Sequence, residues 1–130
     1  MAKSVLIDSH VLLWFNHKPD ELSPRVTTLM RDPEVVIFVS SMTAHELAVK
    51  FANGKLPEAI TLIDDFLGIL SRYGFHELPY TINDALRAAK LEGEHKDPFD
   101  RALSAQALER NYDLVSIDKV LDQFGVQRIW

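Results

Sequence analysis

Residues 35–39 read Val-Val-Ile-Phe-Val, five consecutive apolar side chains, four of them β-branched. A strand turns alternate side chains to opposite faces, so an unbroken apolar run predicts burial on both. A sheet buried on both faces is a parallel sheet covered by helices. Ser4 to Ile7 repeats the pattern in short form and ends at Asp8; Leu114 to Ile117 repeats it again and ends at Asp118. Phe75 to Leu78, before Pro79, and Val126 to Trp130 read as further strands, the last at an edge.

Helical segments lie between these runs. Ser9 to Asn16 has Val11, Leu12, Trp14 and Phe15 as its buried side. Ser23-Pro24 is a cap followed by proline at the first helical position, and that helix runs to about Met30. Ser40 and Ser41 open a helix to about Asn53, which Gly54 closes. One helix is expected from Thr61 to near Gly74. Thr81 with Asp84 resembles a capping box, and Asp97-Pro98 opens an alanine-rich helix. Alternating strands and helices predict an α/β domain, a central, mainly parallel, twisted sheet flanked by helices, with right-handed crossovers. With 130 residues and neither repeats nor a linker, one domain over 1–130 is expected.

Composition narrows the chemistry. The chain has no cysteine, which excludes disulfides, thiol catalysis and a cysteine-held zinc. Nineteen acidic residues against fourteen basic give a net charge of −5. Bulk electrostatic attraction to nucleic acid is therefore not available, and any such contact needs a local basic patch or bound cations. No apolar stretch reaches the length of a membrane helix, and the N-terminal run is too short for a signal peptide. A soluble, cytoplasmic protein is the expectation.

Asp8 and Asp118 each follow a strand, where open α/β sheets bind ligands. Glu46, early in the helix after the second strand, and Asp100, in the first turn of the helix before the Asp118 strand, could reach the same end. Each acid alone is accounted for by turns, caps or solvation. Together they would form a crowded set of oxygen donors that selects Mg²⁺ or Mn²⁺. Such ions and an activated water are the usual equipment for phosphodiester hydrolysis.

The same residues fall in motifs. Val5-Leu6-Ile7-Asp8-Ser9-His10-Val11-Leu12-Leu13-Trp14 resembles the opening motif of PIN-domain ribonucleases, closest to the VapC-type toxins of type II toxin–antitoxin pairs. Ser40 to Lys50 resembles the second motif, whose acid falls on Glu46. His95-Lys96-Asp97-Pro98-Phe99-Asp100-Arg101 and the small-residue helix after it resemble the third, and Leu114 to Asp118 the fourth. The four motifs occur in order across the whole chain. The resemblance implies a PIN-like three-layer α/β/α fold, with Asp8, Glu46, Asp100 and Asp118 as metal-binding and catalytic acids. It implies an Mg²⁺- or Mn²⁺-dependent endoribonuclease, a cognate antitoxin and a homodimer. Asp97 is then a cap or an acid behind the metal. Ser9 and Ser116, beside the acids, would orient a carboxylate or a water, or satisfy backbone groups.

Other groups have plainer roles. His45-Glu46 is not a zinc-protease helix, because the second histidine would have to stand at Val49. Lys50, one turn beyond Glu46, reads first as its ion-pair partner and second as an RNA phosphate contact. Arg101 could pair with an acid or meet RNA. His10 and His95 adjoin acid positions and read as surface or packing residues. Two other functions fit the same residues: a catalytically inactive PIN-like protein-interaction module, and a metal-dependent nuclease directed at DNA.

Overall fold

The computed structural model describes residues 3–130. Among these residues five strands, β1 (Lys3–Ile7), β2 (Val35–Ser40), β3 (His76–Leu78), β4 (Asp113–Val115) and β5 (Arg128–Ile129), form one sheet in the order β3-β2-β1-β4-β5. All four pairings are parallel. Among the described residues seven α-helices connect them: α1 (Ser9–His17), α2 (Pro24–Arg31), α3 (Ser41–Ala52), α4 (Ile60–Ile63), α5 (Phe66–Tyr73), α6 (Ile82–Lys90) and α7 (Pro98–Arg110).

The alternation of β1 divides the core. Val5 and Ile7 pack with Val11 and Leu12 of α1, Val26 of α2, Leu47 of α3 and Leu62 of α4. Leu6 faces the other way, toward Leu103 of α7, Leu114, Leu121 and Phe124. This is the three-layer α/β/α arrangement. The chain steps from β1 to β2 to β3 under one helical layer, then returns through α6 and α7 to β4 beyond β1. The direction reverses between β1 and β4, and such a switch point leaves a crevice at the carboxyl ends of the strands.

Several local expectations change. The helix expected from Thr61 is two, α4 and α5, because Asp65 adopts a non-helical backbone (φ −151°, ψ 55°). Its carboxylate lies over Gly68, where a Cβ would come within 2.3 Å of an Asp65 oxygen. The fourth-motif strand stops at Val115, so Asp118 lies beyond it and caps a 3-10 helix, Lys119–Phe124, that periodicity did not reveal. Ile117, expected inside that strand, is 45% exposed. The buried side of α1 is Ser9, Val11, Leu12 and Leu13; Trp14 and Phe15 are only half-buried. The last strand is shorter than expected but does lie at the edge. The capping box is present in both halves: Asp84 N–H donates to Thr81 Oγ1 and Thr81 N–H to Asp84 Oδ2, each at 3.1 Å. No helix among the described residues is long and apolar enough to cross a membrane.

Candidate active site

A cleft of about 580 Å³ opens at the carboxyl ends of the central strands. Asp8, Glu46, Asp97, Asp100 and Asp118 all line it, so the four sequence motifs converge. Lys50 and Lys119 also line it, which leaves five carboxylates facing two ammonium groups.

Four of the five acids lie at or near an element end, and Glu46 lies within α3. Asp8 follows β1, and its N–H donates to Val115 O of β4 at 3.1 Å, which fixes it beside the switch point. Its Oδ1 accepts from Val11 N–H at 3.0 Å, so the residue also caps α1. Asp97 caps α7 by accepting from the amides of Phe99 and Asp100 at 2.9 and 3.0 Å. Glu46 is buried on α3. Ser9 Oγ donates to its Oε1, and Lys50 Nζ lies 2.6 Å from its Oε2. Asp100 Oδ2 lies 2.7 Å from His95 Nε2. Asp118 is exposed at the cleft margin, its amide bonded to Ser116 Oγ at 3.0 Å.

The electrostatics follow from this crowding. Burial pushes the Asp8 carboxyl above the usual carboxylate range; the Ser116 hydroxyl, the Val11 amide and His10 oppose it, while Glu46 adds to it. Burial raises the Asp100 carboxyl as well, against its bond to His95, and the charges of Asp97 and Glu46 add to the rise. Burial alone would lower Lys50, but its bond to Glu46 and the charges of Glu46, Asp97 and Asp100 hold it above its ordinary value. The acids therefore feel one another, and their shared charge is only partly answered by the protein.

The donor set suits a hard divalent cation, since it offers carboxylate oxygens and no sulfur. Among the described residues no three histidine or carboxylate side chains converge tightly enough to hold an ion. The hydrogen bonds explain the spread: Glu46 is turned to Ser9 and Lys50, and Asp100 to His95. A cation in the cleft would compete with Lys50 for Glu46 and would offset the neighbouring charge that adds to the effect of burial on Asp8 and Asp100.

Ser9 orients a carboxylate, one of the roles its position suggested. Lys50 is the ion-pair partner of Glu46. Ser116 is buried and meets the Asp118 amide. Arg101 is not brought to the cleft. Its guanidinium donates to the carbonyls of Ala88 (3.1 Å), Leu91, Gly93 (3.4 Å) and His95 (3.0 Å), and stacks 5.3 Å from the centre of the Phe124 ring. It thereby clamps the segment joining α6 to α7, which carries His95 and Asp97. Gly93 completes the clamp: at φ +139° a Cβ there would meet Gln123 Oε1 at 2.6 Å. Lysine cannot span four carbonyls. Arg101→Lys is therefore expected to lower unfolding free energy by about 2 kcal/mol, read by urea denaturation. An unchanged midpoint would remove the clamp.

His95, His10, Trp14 and Lys119 also line the cleft and were not among the expected site residues. The adjacency of His10 and His95 to acids was the available signal. Trp14 carried none, because its helical spacing reads as core.

Comparison with known proteins agrees with this architecture. Residues 5–127 match the family model of the PIN domain. No curated protein sequence matches the chain. Among solved structures, VapBC2 from Rickettsia felis, bound to a DNA fragment from its promoter, is similar at TM-score 0.70 and 17% identity, over 98% of each chain. FitAcB from Neisseria gonorrhoeae is similar at TM-score 0.64 and 18% identity, over 97% of this chain and 96% of that one. A domain of a functionally unknown protein from Methanocaldococcus jannaschii is similar at TM-score 0.58 and 17% identity, over 99% of this chain and 91% of that one.

Proposed function

The chain belongs to the PIN domain family, and from that premise we propose that it is a metal-dependent endoribonuclease, the toxin of a toxin–antitoxin pair. The observation that carries this reading is the convergence of Asp8, Glu46, Asp97, Asp100 and Asp118 in one cleft, with Asp8 and Asp100 both pushed toward protonation. Asp8, Glu46, Asp100 and Asp118 would hold Mg²⁺ or Mn²⁺. When bound, the ion supplies positive charge opposite the phosphate and acidifies a water for attack.

The protein's own groups do the positioning. Ser9 fixes the Glu46 carboxylate, and Lys50 offsets part of its charge. His95 holds Asp100 toward the cleft, and Asp97 starts α7 so that Asp100 faces inward. No side chain is required as a nucleophile. VapBC2 and FitAcB, similar in fold to this chain, support a cognate antitoxin as partner. One PIN-like domain over 1–130, acting as a homodimer in the cytoplasm, completes the reading.

Purified protein is expected to cleave single-stranded RNA internally in millimolar Mg²⁺ or Mn²⁺, and to stop when EDTA is added. Equal-length DNA of the same sequence serves as the competing substrate. Preferential cleavage of DNA would move the reading to a DNA nuclease. Absence of cleavage on both, with no metal-dependent rise in melting temperature, would favour an interaction module.

A further inference from the structure

We infer that Trp14 is a stacking platform for an unpaired nucleobase of the RNA held at the acid cleft; this rests on the nuclease reading above. Trp14 is half-buried on α1, one turn beyond His10, whose ring lies 5.4 Å from it. Trp130 packs edge-on against the indole at 6.1 Å. These contacts set the orientation of the ring without burying it. Trp14 lines the acid cleft and also a neighbouring cleft of about 430 Å³ that includes His17, Lys18, Glu21 and Glu58. The two linings share no other residue. A polynucleotide passing from one cleft to the other crosses the indole.

Charge argues for stacking rather than phosphate contact at this point. The acid cleft has five carboxylates and two lysines, and in the second cleft two glutamates outnumber Lys18. The chain as a whole carries −5. Neither surface draws a phosphate backbone by itself, so affinity beyond the cation must come from uncharged contact. Base–aromatic stacking supplies that, and it accepts every base because each has a π-face. Ile117, 45% exposed, adds an apolar side chain to the lining of the same cleft. The base must be unpaired, since in a duplex its faces are already covered.

The test is kinetic, with RNA of about ten nucleotides as substrate. Trp14→Leu is expected to raise KM about tenfold with kcat nearly unchanged, and Trp14→Phe to restore most of the loss. The melting temperature of Trp14→Leu and its response to Mn²⁺ should stay close to wild type. Should Trp14→Leu not fold, the wild type answers alone: a strand made abasic beside the scissile linkage should show the same rise in KM. In a Trp130→Phe protein, Trp14 is the only tryptophan. Its emission should be quenched by the base-bearing strand and not by the abasic one. Equal KM for both strands, or an unchanged KM in Trp14→Leu, would overturn the platform while the nuclease stands. A wild type that cleaves no RNA would instead remove the nuclease reading, and the platform with it.

Discussion

Replacing Asp8 by Asn is expected to reduce RNA cleavage at least about a hundredfold while the protein stays folded, because loss of cation charge at a phosphate costs several kcal/mol of transition-state stabilisation. Both halves follow from one geometry. The carboxylate is 8% exposed, and burial holds its proton on above the ordinary range. Its charge is thus a burden to the fold, and a bound cation would offset it. Asparagine keeps the oxygen that accepts from Val11 N–H, and it is as good a helix cap as aspartate. Without metal the variant should melt at or slightly above the wild-type temperature. With millimolar Mg²⁺ or Mn²⁺ the wild type should gain stability through binding to the folded state alone, about 2.7 kcal/mol at a hundredfold excess over Kd, and the variant should gain far less. A variant that unfolds would show that the Asp8 charge serves the fold, and one that cleaves like wild type would show that Asp8 holds no catalytic cation.

How far the site could be read from sequence depends on the range of the interactions that build it. The buried strand at 35–39 and the caps at Ser23, Thr81 and Asp97 are local devices, and local patterns revealed them. The clustering of Asp8, Glu46 and Asp100 was legible because Asp8 and Glu46 follow β1 and β2, and Asp100 starts the helix that leads back to β4, so all three fall at one end of the sheet. What was not legible is contact across the fold. His95 reaches Asp100 only because Arg101 gathers four carbonyls and Gln123 Oε1 accepts the His95 amide at 3.0 Å. No spacing rule contains that clamp. Trp14 looked like core because helical periodicity does not show that α1 turns that position toward the cleft margin. The break at Asp65 was missed because the apolar pattern of residues 62–70 continues through it. The break is set by a carboxylate resting on a glycine three residues ahead.

Thr81 and Asp84 illustrate the same limit and carry the largest expected effect on stability. Sequence shows their capping box; it cannot show Arg110, 26 residues away in the chain. Asp84 has a side chain 1% exposed and accepts from Arg110 Nη1 and Nη2 at 2.9 and 3.0 Å, and from Gln106 Nε2 at 3.1 Å. Burial works to raise its carboxyl, but Arg110, the Thr81 amide and Gln106 outweigh burial and hold it below the ordinary range. Arg110→Ala leaves that carboxylate buried without its counter-charge and is expected to cost about 3–5 kcal/mol, read by urea denaturation at neutral pH. Replacing both residues with leucine should cost less than Arg110→Ala alone, because no charge is then stranded. The pH dependence gives an independent check. A carboxyl lowered in the folded state contributes stability above its unfolded value, about 3.9, and loses it as pH falls through the folded value. In Arg110→Ala burial dominates and the sign reverses: protonation relieves the stranded charge. The stability gap between wild type and variant should therefore narrow as pH drops from about 7 toward 3. Asp8 and Asp100, raised in both proteins, gain stability on acidification and cancel in the difference. A gap that stays constant across this range would mean that Arg110 acts through packing of α7 on α6 and not through the charge of Asp84.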